Sequence, residues 1–208
     1  MINKKLVHLG VLIGALFISS CTTLDYVPDT GWSDNESDKD FYEDWFGGQL
    51  AAASEPVLEN EQNLAPFSHR FRLLILPNNF PASIYRIDTA ESGAMSLTYT
   101  KLDGAGGYEP GDIAEQWTRQ LSANEAQAFV GARDEASLAK RKRQSDLYAA
   151  NDIAGANPIV LCMHPPVFVF ESLSPGGRSF VMRDICELGR EPALEKLQIL
   201  VSSFSKEG

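Results

Sequence analysis

Two cysteines in the C-terminal half of the chain, Cys162 and Cys186, form the residue pair with the clearest chemistry. The turn sequence SPGG lies between them at residues 174–177, and a hairpin that turns there pairs residues whose numbers sum to about 351. The cysteine numbers sum to 348, so this hairpin brings the two thiols close together. The pattern predicts a disulfide, which stabilises a small domain by roughly 3–4 kcal/mol. Two buried free thiols or one reactive thiol are the alternatives, and no CxxC spacing favours redox catalysis.

The third cysteine, Cys21, follows an N-terminal segment typical of exported proteins. Lys4 and Lys5 precede an apolar run at residues 6–18, which is shorter than the roughly 20 residues of a membrane-spanning helix. The sequence ISSC at residues 18–21 resembles the lipobox of bacterial lipoproteins. The resemblance implies cleavage before Cys21, acyl chains such as palmitate on this residue, and an extracytoplasmic, membrane-anchored protein. Thr22, in place of aspartate, favours the outer membrane if the source has two membranes. An ordinary signal peptide with a chance cysteine is the alternative.

A glycine-rich segment, DGAGGYEPG at residues 103–111, has the composition of a loop that uses positive φ angles. It lacks the Lys-Ser/Thr ending of a phosphate-binding loop and the strand–GxGxxG–helix order of a dinucleotide fold. We interpret it mainly as a structural turn that presents Tyr108. As an alternative, the loop contacts a ligand or partner through Asp103, Tyr108 and Glu109.

Other common catalytic and metal-binding patterns are missing from the sequence. After removal of the signal peptide the histidines are His69 and His164, which lack HxxxH or HExxH spacing, so we predict no metal site and no cofactor. There is no GxSxG motif and no convincing nucleophile–His–Asp set, so we predict no catalytic residue. Because any acidic chain contains candidate carboxylates, a carboxylate pair for glycoside hydrolysis stays an alternative.

Charge divides the mature chain into two parts. The full chain has 18 Lys and Arg against 28 Asp and Glu, and residues 22–65 contain eleven of these acids and one base, Lys39. We therefore predict a signal peptide at residues 1–20, an acidic flexible stalk at 21–65 and one domain at 66–208. Neither part has the concentrated positive charge that nucleic acid binding requires.

The predicted stalk contains four aromatic residues at helical spacing. Phe41, Tyr42, Trp45 and Phe46 would share one face of a helix. A short helix packed back on the domain is the leading interpretation, and contact with a partner protein or membrane is the alternative. A basic cluster, KRKR at residues 140–143, is interpreted as a solvated helix surface, with an anionic lipid or wall polymer as the alternative partner.

The domain contains several recognisable strands and helices. Short β-like runs are predicted at residues 71–76, 83–88, 95–102, 159–162, 167–171 and 178–183, and a helix or helical turn at 112–119. Ser122 and Glu125 fit a capping box that starts a helix, and Pro192 starts a second helix with apolar residues on one face. This order predicts an α+β fold: an antiparallel sheet of about five to six strands with two main helices on one face.

The glycine segment, the capped helix, the late hairpin and the final helix together resemble a group of uncharacterised exported bacterial proteins. That group has a DGxGGYxPG-like segment, and the resemblance covers roughly residues 71–204. The resemblance implies the same fold, but it implies no activity because that group is uncharacterised. The sequence therefore predicts an envelope lipoprotein that acts as a non-catalytic interaction or accessory module for an envelope protein or wall component. An inhibitor or immunity-type protein is a more specific form of this hypothesis. The alternatives are an enzyme acting on an envelope polymer such as peptidoglycan and a small-ligand binding domain.

Overall fold

The computed structural model describes residues 43–58, 61–107, 109–141 and 165–206. Its strands are β1 (Phe67–Leu76), β2 (Ser83–Ala90), β3 (Met95–Leu102), β4 (Ile113–Gln120), β5 (Val167–Ser174) and β6 (Gly177–Asp184). Its helices are α1 (Gly48–Ala52), α2 (Ala123–Ala136), α3 (Ile185–Leu188) and α4 (Pro192–Ser203). A π-helical turn at Glu43–Gly47 precedes α1, and 3₁₀ turns lie at Glu61–Asn63, Leu138–Lys140 and Phe204–Lys206.

The six strands form one antiparallel sheet in the order β4-β3-β2-β1-β5-β6. The central strand, β1, pairs with β2 on one side and with β5 on the other. The hairpin of β5 and β6 has the predicted register, since Val167 pairs with Asp184 and Ser174 with Gly177. The predicted α+β class, with an antiparallel sheet and two main helices on one face, is confirmed.

The helices α2 and α4 begin where the sequence placed them. Ser122 Oγ accepts a hydrogen bond from the Glu125 backbone N–H at 3.3 Å, and Glu125 accepts one from the Ser122 N–H at 2.7 Å, so the capping box is confirmed. Pro192 is in the first turn of α4, whose Leu194, Leu197 and Val201 are buried. Both helices pack on the sheet and on each other, and they enclose the larger apolar core.

The predicted helix at residues 112–119 is wrong, because this segment forms β4. Most of its side chains are exposed, so it lacks the apolar alternation by which a half-buried strand is recognised. Backbone pairing with β3, which the sequence pattern does not report, determines its conformation.

The opposite face of the sheet is covered by residues 45–58, here called the strap. Phe46, Leu50 and Ala53 are buried against apolar residues of the strands. The predicted boundary at residue 65 is therefore wrong for the described residues, and the folded domain includes the strap. The high acid content of residues 22–65 concealed these apolar residues. Packing of a short helix on the domain is found for Trp45 and Phe46, which stack at 5.2 Å between ring centroids, whereas Phe41 and Tyr42 lie outside the described residues.

Candidate functional site

A polar cleft of about 300 Å³ opens on the helix-covered side of the domain. Its floor comes from three neighbouring strands, with His69 on β1, Ser172 on β5 and Ser179 on β6. The end of α2 and the turn after it form the wall, through Arg133, Asp134, Ser137, Leu138, Ala139 and Lys140. We call this site the His69 cleft.

The strand register explains why polar side chains meet here. Phe71 on β1 pairs with Ser172, which in turn pairs with Ser179, so these residues share the helix-covered face. The apolar residues of this face lie beneath α2 and α4. Helix α2 ends at Ser137, which has a left-handed conformation with φ of 48°, and the chain turns away from the sheet. The cleft lies beside this helix end.

His69 is the central titratable group of the cleft. Its Nε2 lies 2.9 Å from the Ser172 hydroxyl oxygen. Burial, and secondarily the charge of Arg133, lower the pKa of His69 from 6.5 to about 4, although Asp134 and Asp88 act in the opposite direction. The imidazole is therefore neutral at pH 7. Its Nδ1 is buried and makes no hydrogen bond within the part of the chain that the structure describes.

The charges around His69 are mixed. The guanidinium of Arg133 binds the Asp134 carboxylate at 2.8 Å, which partly neutralises both groups. Lys140 is exposed at the edge of the cleft. The cleft therefore combines hydroxyl groups, one neutral imidazole, two cations and one carboxylate. These groups suit a polar ligand that accepts hydrogen bonds.

The pair His69 and Ser172 also has the distance of a general base and a nucleophile. In a catalytic triad a third group orients the imidazole through Nδ1, but here Nδ1 has no such partner among the described residues. Ser172 also lies in a regular strand, paired on both sides. Residue spacing does not indicate this pair, because its members are 103 residues apart.

The glycine-rich segment is a closed turn. The backbone N–H of Gly104 donates to Pro110 O at 3.0 Å, and the Asp103 carboxylate accepts from the Asp112 N–H at 2.8 Å. A side chain at Gly104 would place its Cβ 2.0 Å from the Glu109 carbonyl oxygen, so glycine is required there. Gln49 of the strap donates to Gly107 O at 2.9 Å.

The structure does not bring the predicted loop residues into the His69 cleft. Asp103 stabilises its own turn, and Glu109 is exposed to solvent. Neither residue lines the cleft. Tyr108 lies outside the described residues, so its predicted contact role stays a prediction.

A network of buried ion pairs lies on the strap-covered face. Glu55 of the strap bridges Arg86 at 2.6 Å and Arg72 at 3.4 Å. Further pairs are Arg72 with Glu171, Glu171 with Arg178 at 2.9 Å, Arg70 with Asp88 at 2.7 Å, and Arg86 with Asp88 at 2.9 Å. The pKa of Arg86 is raised, because the charges of Glu55 and Asp88 outweigh the opposing effect of its burial. Arg70 and Arg72 alternate with apolar residues along β1. This alternation is the signal in the sequence that would have indicated the network.

The structure describes only some residues of the predicted disulfide, lipidation site and basic cluster. Cys186 lies in α3 and is disulfide-bonded. Cys162 and Cys21 lie outside the described residues, so the Cys162–Cys186 pairing and the lipidation of Cys21 stay predictions. In the basic cluster Arg141 is not a solvated side chain, since it binds Glu191 and Ala136 O at 2.7 Å each.

Comparison with protein-family models, curated proteins and solved structures found no match. Within the described parts of the chain, no helix combines the length and the apolar character needed to cross a membrane. The same residues contain no group of three or more His, Cys, Asp or Glu arranged to hold a metal ion.

Proposed function

We propose that this protein is a lipid-anchored, extracytoplasmic binding module whose His69 cleft recognises a polar group of an envelope protein or wall component. The observation that carries this proposal is the cleft itself. Polar and charged side chains from three strands and the end of a helix converge beside an otherwise apolar core. A buried imidazole nitrogen without a hydrogen bond is costly in a folded domain, and a ligand that supplies the missing partner would offset that cost.

The arrangement of the two sheet faces supports a tethered binder. The strap, which is the N-terminal part of the described chain, packs on one face. The His69 cleft opens on the other face. A chain that is anchored through Cys21 would therefore reach the domain on the side opposite the cleft, and tethering raises the effective concentration of the cleft near surface-held partners.

Photocrosslinking in the native envelope tests the binding role. A crosslinking residue in place of Ser179 should capture a discrete envelope species, and Ser172→Trp, which fills the cleft, should abolish that product. A crosslinking residue in place of Ile199, an exposed residue of α4, is the matched control and should not give the same product. Identical products from the two positions, or an unchanged product in Ser172→Trp, would refute the cleft as the binding site.

Lipidation requires its own measurement. We expect the mature protein to begin at an acylated Cys21 and to sediment with membranes, and Cys21→Ser to release it or to leave an uncut precursor. Mass spectrometry of the native protein reads both outcomes. An unmodified Cys21 in the mature protein would exclude the anchor without affecting the crosslinking result.

The His69–Ser172 contact favours one alternative function, an enzyme acting on an envelope polymer. In that case Ser172 attacks an ester or amide carbonyl while neutral His69 accepts its proton, and His69 then gives this proton to the alcohol or amine that leaves as the C–O or C–N bond breaks. The activity would rise with pH through the His69 pKa of about 4 and would be lost in Ser172→Ala. Turnover of peptidoglycan or its esters with this profile would replace the binding-module proposal.

A further inference from the structure

We infer that the His69 cleft is an oxyanion site, so that the polar group it recognises is a carboxylate or a phosphate. This inference rests on the proposed function and names the chemical class of its ligand. Its basis is a surplus of hydrogen-bond donors over acceptors among the side chains that line the cleft, together with a net positive charge in an acidic protein. Oxygen atoms that carry a negative charge accept such donors more strongly than neutral oxygen atoms do.

Three side chains of the cleft have donors that no described residue engages. Arg133 binds Asp134 through Nε and Nη2, and its Nη1 makes no hydrogen bond in the described chain. Lys140 is exposed at the edge of the cleft and forms no ion pair with a described residue. Ser179 is half-buried, and its hydroxyl also lacks a partner within these parts of the chain. Guanidinium, ammonium and hydroxyl groups therefore converge with N–H and O–H bonds that a ligand can satisfy.

The acceptors of the same region are largely engaged. One oxygen of the Asp134 carboxylate accepts both bonds from Arg133. At the end of α2, the Ser137 backbone N–H donates to Arg133 O at 3.0 Å, and the Ser137 hydroxyl donates to Asp134 O at 2.7 Å. Arg141 Nε donates to Ala136 O at 2.7 Å. Free carbonyl groups at the C-terminus of a helix would oppose an anion, and these bonds weaken that effect.

The charge of the cleft also favours an anion. The full chain has a net charge of −10 at pH 7. Arg133 and Lys140 against Asp134 nevertheless leave the cleft with one net positive charge. His69 contributes no charge at pH 7, because burial lowers its pKa to about 4. Neighbouring Arg141 adds none either, since a carboxylate binds it at 2.7 Å. A positive cleft in an acidic protein concentrates anions locally.

Two serines on the floor of the cleft suit the shape of a carboxylate or a phosphate. Ser172 on β5 pairs with Ser179 on β6, and directly opposed residues of antiparallel strands have Cβ atoms about 4.5–5.5 Å apart. Two oxygens of one ligand group can therefore accept from the two hydroxyls. His69 Nε2 lies 2.9 Å from the Ser172 hydroxyl oxygen, and a neutral ring can donate from Nε2 to that oxygen. The Ser172 proton is then available to the ligand, which gives His69 a positioning role.

Nuclear magnetic resonance of the His69 ring tests the inference on the whole protein, purified in neutral detergent. The chain contains three histidines, and comparison with His69→Gln identifies the signals of this ring. The ligands are acetate and dimethyl phosphate, each compared at constant ionic strength with its neutral analogue, acetamide or trimethyl phosphate. At least one anion should shift the His69 signals to saturation with a dissociation constant of roughly 1–10 mM, and the neutral analogues should not.

The same titrations distinguish the two ligand classes. Saturation by acetate alone assigns a carboxylate, saturation by dimethyl phosphate alone assigns a phosphate, and saturation by both assigns a site that accepts either oxyanion. In the bound state the nitrogen chemical shifts should place the ring proton of His69 on Nε2, and a ring proton on Nδ1 would contradict its positioning role. Equal shifts by the neutral analogues, or no saturation by either anion, would overturn the inference.

A charge reversal at the edge of the cleft tests the electrostatic contribution. Lys140→Glu reverses the net charge of the cleft and should weaken anion binding about tenfold. Lys101→Glu makes the same change at an exposed residue of β3 that does not line the cleft, and it should leave the affinity unchanged. Equal affinities in these two variants would contradict the inference.

Failure of this inference differs from failure of the proposed function. A crosslinked product captured from position 179, without anion binding, would remove the ligand class and leave the binding role. Anion binding without such a product would support the oxyanion site and remove the proposed envelope partner.

Discussion

The two faces of the sheet are stabilised by different means. On the helix-covered face, α2 and α4 enclose a large apolar core, and buried Arg183 pairs with Glu191 where α4 begins. On the strap-covered face a smaller apolar cluster lies next to the ion-pair network around Arg72, which is 1% exposed. Long amphipathic helices have enough apolar surface to hold themselves on a sheet. The five-residue α1 does not, and Glu55 supplies the specific contact that fixes where the strap lies.

This contrast implies different sensitivities. An apolar layer loses stability in proportion to the volume removed and the cavity left. A buried ion pair fails abruptly when one partner is removed, because the other remains charged in a low-dielectric environment.

The largest effect is expected from Glu171→Ala on the strap-covered face. The substitution leaves Arg72 buried without its main carboxylate and removes the partner of Arg178. We expect the free energy of unfolding to fall by about 3–5 kcal/mol, measured by urea denaturation. The exposed pair of Glu135 and Lys196 is the control, and Glu135→Ala should cost about 0–1 kcal/mol. Equal losses in the two variants would mean that the network contributes no more than surface charges do.

A smaller loss is expected from Leu197→Ala on the helix-covered face. Leu197 is buried in the apolar core, and its truncation should cost about 3 kcal/mol in the same assay. Ile199→Ala on the exposed side of the same helix should stay within about 0.5 kcal/mol of the parent.

Leu50→Ala makes the same substitution in the strap and sharpens the comparison of the two faces. We expect it to increase hydrogen exchange mainly in residues 45–58, because the strap can open while the sheet stays folded. Uniform exchange throughout the domain would show that the two layers unfold together.

The smallest effect is a pH dependence that belongs to the helix-covered face. Because the His69 pKa is lowered from 6.5 to about 4, the unfolded chain takes up a proton below pH 6.5 that the folded chain refuses until about pH 4. Stability should therefore fall by about 2–3 kcal/mol as the pH drops through this window. Urea denaturation gives the free energy of unfolding at pH 7 and at pH 4.5. Between these two pH values it should decrease less for His69→Gln than for the parent. The same decrease in both proteins would exclude His69 as its source.

The features that the sequence predicted depend on local rules. The capping box of Ser122 and Glu125 needs residues three apart, and the β5–β6 register follows from one tight turn. Strand β3 has the predicted bounds, because Met95, Leu97 and Tyr99 alternate with polar residues along most of it. In each case the interacting groups are near neighbours in the chain, so their spacing contains the required geometry.

The features that were missed depend on contacts between distant parts of the chain. Strand β4 is stabilised by β3 and not by its own side-chain pattern. The strap was hidden because its apolar residues lie in an acidic segment whose composition is typical of disorder. The His69 cleft joins residues of β1, α2, β5 and β6, and no local rule connects them.

The sequence by itself determined the fold class, the helix starts and the late hairpin, because these follow from periodicity, capping and turn chemistry within short windows. It also supplies the only basis for the proposed export and anchoring. Only the tertiary structure decided that Glu55 reaches Arg72 and Arg86 and that His69 meets Ser172. The physical reason is that burial and electrostatic pairing depend on distances in space, which strand order sets and residue spacing does not encode.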